Sequence, residues 1–276
     1  MMFRPALAGF VLATLITQQL HAQHRDSPAN IQTLPTLSQA EEPAGFHFEA
    51  VFDFYTCDIW NGMVGYDHPI FQPTFTTFYD TADYGELLLG ASPLYQIGTP
   101  RDKRNGGLSE LDVLAAWNCD IGPLNGELGY TYYWYPSEQD DAMHEGYVTI
   151  KYDNPILVPS LTTFYDFNQT ESPYFQGALC RDFGITEALT VTTEFFIGAS
   201  TAPFNRAYFD VERDFLMTEA TAKLSAQYNI TENLFIGAAI AYTTFIDRSI
   251  HDSEFASEEY STLNTVWGGV STGIRF

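Results

Sequence analysis

The sequence predicts an all-β fold: a transmembrane, antiparallel, up-and-down β-barrel of about twelve strands over residues 45–276. Three observations predict it. From Gly45 onward, apolar and polar residues alternate in segments of strand length. The connections between these segments are alternately short and long. After the N-terminus, no apolar run reaches the roughly 20 residues that a membrane-spanning helix needs.

The N-terminus has the pattern of an exported protein. Arg4 supplies the positive charge of a signal peptide, residues 6–16 form its apolar core, and Leu20-His21-Ala22 offers a cleavage site. Residues 23–44 carry three prolines and no clear hydrophobic period. The sequence therefore predicts a signal peptide over 1–22 and a disordered periplasmic tether over 23–44.

Each alternating segment is predicted to be one strand. The segments are 46–60, 70–80, 85–95, 109–121, 124–135, 145–153, 157–167, 173–183, 188–200, 218–228, 233–246 and 264–276. Segment 46–60, for example, places Phe46, Phe48 and Phe52 on one face and Glu49 and Asp53 on the other. Because successive side chains of a strand point to opposite faces, one face meets lipid and the other lines a lumen. A soluble β-sandwich or a lipocalin-like protein is the alternative, which the Phe-rich faces disfavour.

The connections support the same topology. Those near 81–84, 121–124, 154–156, 184–187 and 229–232 are short and carry turn residues. Those near 61–69, 96–108, 136–144, 168–172, 201–216 and 247–263 are mostly longer and polar. This alternation is typical of barrels with tight periplasmic turns and larger external loops, and it predicts an even number of strands.

The last segment ends on an aromatic residue. Val266, Val270 and Ile274 share one face, whereas Trp267 and Arg275 lie on the other. The terminal Phe276 resembles the C-terminal assembly signal of bacterial outer-membrane barrels, in which a final Phe closes an alternating strand. The resemblance implies a location in the bacterial outer membrane and recognition by the barrel-assembly machinery.

Two further runs resemble a group of bacterial outer-membrane proteins that have no established activity. They are residues 55–62 (YTCDIWNG), followed by Gln72-Pro73, and residues 130–136 (YTYYWYP). The first strand of that group reads roughly Y-x-W-R-G and is followed by Q-P. Asn61 stands where the group usually has Arg. The resemblance implies a barrel and no particular reaction.

The charge balance limits the partners. The chain has 12 Lys and Arg against 35 Asp and Glu, a formal net charge of -23. Nucleic-acid binding needs a basic surface, so it is excluded. The three cysteines, Cys57, Cys119 and Cys180, leave at least one thiol unpaired in a monomer and have no metal-ligand spacing. We expect no metal site and no cofactor.

The inward face of the predicted barrel collects charged residues. The predicted lumen-lining residues are Glu49, Asp53, Glu86, Glu110, Asp112, Glu127, Glu145, Lys151, Glu194, Glu219, Lys223 and Arg275. An excess of carboxylates in a lumen raises the occupancy of cations and repels anions. The alternative is a lumen packed with charged pairs that conducts nothing.

The sequence thus favours a channel for passive passage of small cationic or neutral solutes. A non-conducting structural or adhesive barrel that acts through acidic external loops is the second hypothesis. Lipid and lipopolysaccharide are the expected surroundings. The sequence has no Ser-His arrangement like that of an outer-membrane lipase. A protease would need Asp and His side chains at the external rim, and the external loops contain Asp140, Asp141, His144, His251 and Asp252. Acidic loops bring such residues together by chance, so we expect no enzyme. Asp210, Glu212 and Asp214 have the spacing of a calcium loop but lack its glycine.

Overall fold

The structure is a computed structural model that describes residues 45–81, 84–97, 107–136, 142–260 and 262–276. The signal peptide predicted over 1–22 and the tether predicted over 23–44 lie outside these residues. Among the described residues, no helix combines the length and the apolar character needed to cross a membrane.

Twelve antiparallel strands form a closed barrel, and two short strands form a separate hairpin. The bounds are β1 Gly45–Tyr55, β2 Asp58–Trp60, β3 Met63–Tyr66, β4 Ile70–Asp80, β5 Glu86–Gln96, β6 Leu108–Ile121, β7 Leu124–Trp134, β8 Met143–Tyr152, β9 Val158–Asp166, β10 Pro173–Gly184, β11 Leu189–Thr201, β12 Phe215–Asn229, β13 Leu234–Phe245 and β14 Asn264–Arg275. The barrel runs β1-β14-β13-β12-β11-β10-β9-β8-β7-β6-β5-β4 and closes because β4 pairs with β1. The predicted twelve-stranded barrel is therefore confirmed.

The first and last barrel strands pair with each other. Glu49 lies opposite Arg275 in their register, and Asp53 lies opposite Ser271. Beyond the last strand, the backbone N–H of Phe276 donates to the Phe48 carbonyl at 2.9 Å, and the N–H of Phe48 donates to the Phe276 carbonyl at 3.0 Å. The terminal aromatic thus belongs to the seam that closes the barrel.

The two faces of the strands have opposite character. Large apolar side chains such as Leu89, Leu128 and Ile240 are exposed on the outside of the barrel. Strand neighbours such as Asp112 and Glu127 point inward and are buried. Soluble proteins bury apolar groups and expose charged ones, so this arrangement is the reverse of theirs. It is the arrangement that a barrel needs in bilayer hydrocarbon.

The connections define two ends of the barrel. The short connections 81–85, 122–123, 153–157, 185–188 and 230–233 form the short-turn end. The connections 56–69, 97–107, 135–142, 167–172, 202–214 and 246–263 form the long-loop end. β1 begins and β14 ends at the short-turn end. The predicted strict alternation of short and long connections is confirmed.

The long loops contain regular structure of their own. The loop 56–69 holds the β2–β3 hairpin, the loop 202–214 holds α1 (Ala202–Phe209), and the loop 246–263 holds α2 (Arg248–His251) and α3 (Glu254–Glu259). The predicted strand over 46–60 is therefore too long: β1 ends at Tyr55, and residues 57–64 are all buried. β12 begins at Phe215, earlier than the predicted 218.

Gly269 is a point of close approach at the seam. A Cβ atom at this position would lie 2.4 Å from the Phe54 carbonyl oxygen and 2.3 Å from a ring carbon of Tyr55. Both neighbours belong to β1, and a backbone oxygen within a paired strand has little freedom to move. Only glycine therefore fits here without displacing one strand of the seam.

We predict that Gly269→Ala destabilises the barrel by about 1–3 kcal/mol, because overpacking at a closed seam displaces backbone. The measurement is the unfolding midpoint in urea of the protein refolded into detergent micelles. Gly177→Ala is the matched control, since a Cβ at Gly177 meets nothing within 4 Å. Equal midpoints for the two variants would contradict the prediction.

Candidate functional site

All twelve predicted lumen residues lie on the inward parity of their strands, opposite the exposed apolar face. Nine are buried: Glu49, Asp53, Glu110, Asp112, Glu127, Glu145, Glu194, Glu219 and Lys223. Glu86, Lys151 and Arg275 are half-buried. The inside of the barrel is therefore densely filled with polar side chains, and these residues do not surround a wide water-filled tube.

The inward-facing bases lie in the middle of the barrel and toward its short-turn end. Lys223 Nζ lies 2.9 Å from Glu194 Oε2, and the two side chains are only 1% and 4% exposed. They are direct neighbours in the β11–β12 register. The guanidinium of Arg275 lies over the Phe235 ring at 4.6 Å from its centroid. These basic side chains neutralise part of the carboxylate charge in the middle of the barrel and at its short-turn end.

The half of the barrel at the long-loop end is acidic. Its inward carboxylates are Glu110, Asp112, Glu145, Asp166 and Glu219, and Asp58 joins them from the hairpin. Among the inward-facing strand residues that the structure describes, none in this half is Lys or Arg. Asp58 and Asp166 are not among the predicted lumen residues, because Asp58 falls in the segment predicted as a membrane strand and Asp166 lies at a strand end.

The β2–β3 hairpin folds into the barrel at this end. Its turn is Asn61-Gly62, with φ of 47° and 83°, and Trp60 pairs with Met63 across it. Positive φ at both central residues is the requirement of a type I′ hairpin turn, and Asn-Gly is the dipeptide that best meets it. A Cβ at Gly62 would lie 2.6 Å from Glu219 Oε2, so the turn packs against the inner face of β12.

Aromatic side chains from the long loops pack on this hairpin. The ring centroids of Trp60 and Tyr208 are 4.9 Å apart with an interplanar angle of 73°, and those of Phe204 and Tyr208 are 4.5 Å apart. Tyr260 Oη donates to the Tyr208 carbonyl at 2.6 Å, which joins the last long loop to α1. Trp60, at the end of the predicted membrane strand 46–60, is instead only 4% exposed inside the barrel. We call this group the aromatic cluster.

α1 is held in place by one buried amide. Asn205 Oδ1 accepts from Ser200 Oγ at 2.5 Å, and Asn205 Nδ2 donates to the Arg213 carbonyl at 2.7 Å. Pro203 stands in the first turn, and Asp210 ends the helix at φ 52°. The sequence predicts a longer, polar loop near 201–216. Its buried face is aromatic because it covers the hairpin.

The carboxylate of Asp166 organises the short loop that follows β9. Its Oδ1 accepts from the backbone N–H groups of Asn168 and Gln169, each at 3.0 Å. Its Oδ2 accepts from the N–H and Oγ1 of Thr170 at 2.6 and 2.9 Å. The loop therefore holds this carboxylate firmly at the rim of the acidic half.

The remaining candidates for chemistry have structural partners. His144 Nδ1 lies 2.5 Å from Tyr130 Oη, and His251 Nε2 lies 3.0 Å from the Phe245 carbonyl oxygen. Asp140 and Asp141 lie outside the described residues. Within the described ranges, no three His, Cys, Asp or Glu side chains are grouped as a metal site, and Asp210, Glu212 and Asp214 form none.

All three cysteines are free thiols. Cys119 and Cys180 lie in β6 and β10. Cys57 lies in the connection before β2, packed with Ile59 and Trp267. Burial raises the pKa of the Cys57 thiol to about 11. It is therefore a protonated packing residue at neutral pH.

No protein-family model matches the chain, and no curated protein matches it. Among solved structures, the chain is similar to the NanC porin, with a TM-score of 0.49, 7% identity, and coverage of 82% of this chain and 98% of that one. For the KdgM porin the TM-score is 0.49 and the identity is 10%, with coverage of 83% of this chain and 99% of that one. For an outer-membrane channel from Pseudomonas putida F1 the TM-score is 0.48 and the identity is 9%, with coverage of 91% of this chain and 100% of that one. Likeness at this level carries no argument about activity or solute.

We predict that Lys223→Met destabilises the barrel by roughly 3–5 kcal/mol, because it leaves the buried Glu194 carboxylate without its counter-charge. Adding Glu194→Gln should restore most of that loss. Arg248→Met is the control, since the Arg248–Asp252 pair is 89% and 67% exposed and should change stability by less than about 0.5 kcal/mol. Urea unfolding in micelles measures all four proteins. If Lys223→Met alone is as stable as the variant that also carries Glu194→Gln, the prediction is contradicted.

Proposed function

We propose that this protein is a bacterial outer-membrane channel for the passive passage of small cationic or neutral solutes. The observation that carries the proposal is the acidic half of the barrel interior. Among the described strand residues, its inward-facing side chains include carboxylates and no Lys or Arg. Rings of carboxylates concentrate cations and exclude anions from a pore. Cations that enter from the long-loop end meet this attraction first.

The dimensions of the interior restrict the solute to small molecules. Barrels of eight strands are filled by side chains, whereas those of 16–18 strands hold an aqueous channel. Twelve strands lie between these cases. Here the β2–β3 hairpin and the aromatic cluster narrow the long-loop end further, so passage requires small solutes and a displacement of these elements.

The outer membrane is the location that best suits the chain. The exposed apolar face is suited to hydrocarbon, and exposed aromatics such as Trp134, Tyr152 and Tyr228 stand near strand ends, as in interfacial girdles. The signal-like residues 1–22 and the terminal Phe276 support export and recognition by the barrel-assembly machinery. Lipopolysaccharide is then the neighbour of the long loops.

A non-conducting structural or adhesive barrel is the second candidate. The observation that favours it is the packing of the aromatic cluster, in which Trp60, Phe204 and Tyr208 are nearly completely buried within the barrel mouth. In this case the long loops, chiefly 202–214 and 246–263, present the functional surface. Shortening them should then abolish adhesion and leave permeability unchanged.

We predict that the wild-type protein forms cation-selective channels in planar lipid bilayers. Glu110→Gln combined with Asp112→Asn should lower the ratio of potassium to chloride permeability by at least about fivefold. One unit charge near the path changes an ion's energy by about 1 kcal/mol in water, which corresponds to that factor. The reversal potential under a potassium chloride gradient measures the ratio.

Glu212→Gln is the matched control, because the Glu212 side chain is 79% exposed in a long loop. It should leave the selectivity of the wild type unchanged. Replacing residues 57–67 with a short Gly-Ser linker should raise the conductance, since it removes the hairpin from the interior. Anion selectivity of the wild type, or a wild type that never conducts, would contradict the channel proposal. Conductance that is seen only after removal of the hairpin would favour the second candidate.

A further inference from the structure

Among the described barrel strands, one basic side chain faces outward, and it is Arg181 in β10. The other Lys and Arg residues of these strands face the interior, namely Lys151, Lys223 and Arg275. Arg181 stands two residues after Leu179 and two residues before Phe183, and both of these are exposed on the outer wall. Because alternate residues of a strand share a face, Arg181 belongs to the lipid-facing surface. A charge on that surface is unfavourable unless it reaches the membrane interface.

The guanidinium of Arg181 points toward the short-turn end. Its Nη1 donates to the carbonyl of Ile156, which belongs to the connection 153–157. Its Cζ lies 5.0 Å from the centroid of the Phe183 ring, and Phe183 is closer than Arg181 to the end of β10 at Gly184. The side chain therefore extends along the outer wall toward the lipid headgroups, as long basic side chains do in membrane proteins.

Arg181 forms no ion pair with any carboxylate of the described residues, although the chain has 35 Asp and Glu against 12 Lys and Arg. The neighbouring Asp182 faces the interior, where it accepts from Thr192 Oγ1 at 2.5 Å. A guanidinium has five N–H donors, and the Ile156 carbonyl accepts from only one nitrogen of this one. Most of its donors are therefore available to an acceptor outside the chain.

The short-turn end offers no second base to the headgroups. Among the described residues of its connections, the charged ones are Asp153, Glu187 and Glu232. These carboxylates repel a headgroup of net negative charge, whereas a headgroup whose phosphate is balanced by its own ammonium group is neutral overall. This end of the outer wall therefore favours a zwitterionic phospholipid, and Arg181 offers one position for its phosphate.

A gap in the outer wall lies on the same face of β10, nearer the middle of the membrane. Gly177 is four residues from Arg181, and a Cβ at Gly177 would meet nothing within 4 Å. The neighbour of Gly177 in β9 is Leu161, whose side chain is 54% exposed. Four strand residues span about 14 Å, close to the ~15 Å hydrocarbon thickness of one leaflet. An acyl chain that begins beside Arg181 can therefore lie along Leu179 and enter this gap.

We propose that Arg181 binds the phosphate group of one zwitterionic phospholipid of the periplasmic leaflet, with an acyl chain of that lipid lying along Leu179 and Gly177. A guanidinium binds a phosphate through two parallel hydrogen bonds, a geometry that an ammonium group does not offer. The Phe183 ring and the Ile156 carbonyl hold the guanidinium in position for this contact. The site is independent of conduction: a barrel that never conducts still binds the lipid.

Native mass spectrometry of the full barrel, released from micelles of an uncharged detergent, tests the site with three probes. Dioleoyl phosphatidylethanolamine has both the phosphate and the acyl chains, dioleoylglycerol has only the chains, and inorganic phosphate has only the phosphate. We expect one phosphatidylethanolamine to bind at least fivefold more tightly than dioleoylglycerol, and inorganic phosphate not to bind at the same concentration. Equal affinities for the two lipids would overturn the proposal. So would binding of inorganic phosphate as tight as that of the phospholipid, because the site would then take a free anion.

Three variants connect the binding to the guanidinium. Arg181→Gln removes the charge and should lower the affinity for phosphatidylethanolamine to that for dioleoylglycerol. Arg181→Lys keeps the charge without the planar fork and should give an intermediate affinity. Arg248→Gln is the matched control, because it removes an exposed guanidinium of the long-loop end and should bind as the wild type does.

Unchanged affinity in Arg181→Gln, or an equal loss in Arg248→Gln, overturns the proposal. Arg181→Lys decides the matter if Arg181→Gln does not fold, since an affinity equal to that of the wild type then contradicts binding through the guanidinium.

Discussion

Backbone hydrogen bonding in a medium without water is the constraint on which this structure depends. Every N–H and C=O group of a strand in hydrocarbon needs a partner on a neighbouring strand, so the sheet must close. Closure joins β1 to β14, brings Phe276 to Phe48, and fixes which side chains face inward. Once the inward parity is fixed, the charged residues of twelve strands share one enclosed space. The acidic interior is thus a consequence of the pairing pattern.

The interior is then shaped by a single tight turn. Asn61 and Gly62 have positive φ, and the hairpin that they form reaches the wall at Glu219. The buried hairpin supplies Trp60, on which α1 packs through Phe204 and Tyr208. The hairpin and the loops 202–214 and 246–263 therefore form one packed layer over the acidic half.

The strands and their faces were predictable from the sequence because alternation is local. In β6, the pattern of Val113 and Trp117 against Asp112 already separates the lipid-facing and inward residues, and the structure has the same parity. The hairpin was missed although Asn61-Gly62, a strong hairpin signal, is visible in the chain. Its apolar neighbours, including Ile59 and Trp60, looked like the continuation of a membrane strand.

The aromatic cluster was not predictable, because Trp60, Tyr208 and Tyr260 lie far apart in the sequence and meet only once the barrel has closed. The pairing of Glu145 with Asp166 likewise depends on the register of two strands, which the composition of either strand does not specify.

The unequal distribution of the inward bases has an electrical consequence. In the proposed channel, a cation that enters from the long-loop end meets carboxylates first and reaches Lys223 and Arg275 only deeper in the barrel. The potential along the axis is therefore asymmetric, with its well displaced toward one mouth. A pore with such a profile rectifies: under voltages of equal size and opposite sign, it passes unequal currents.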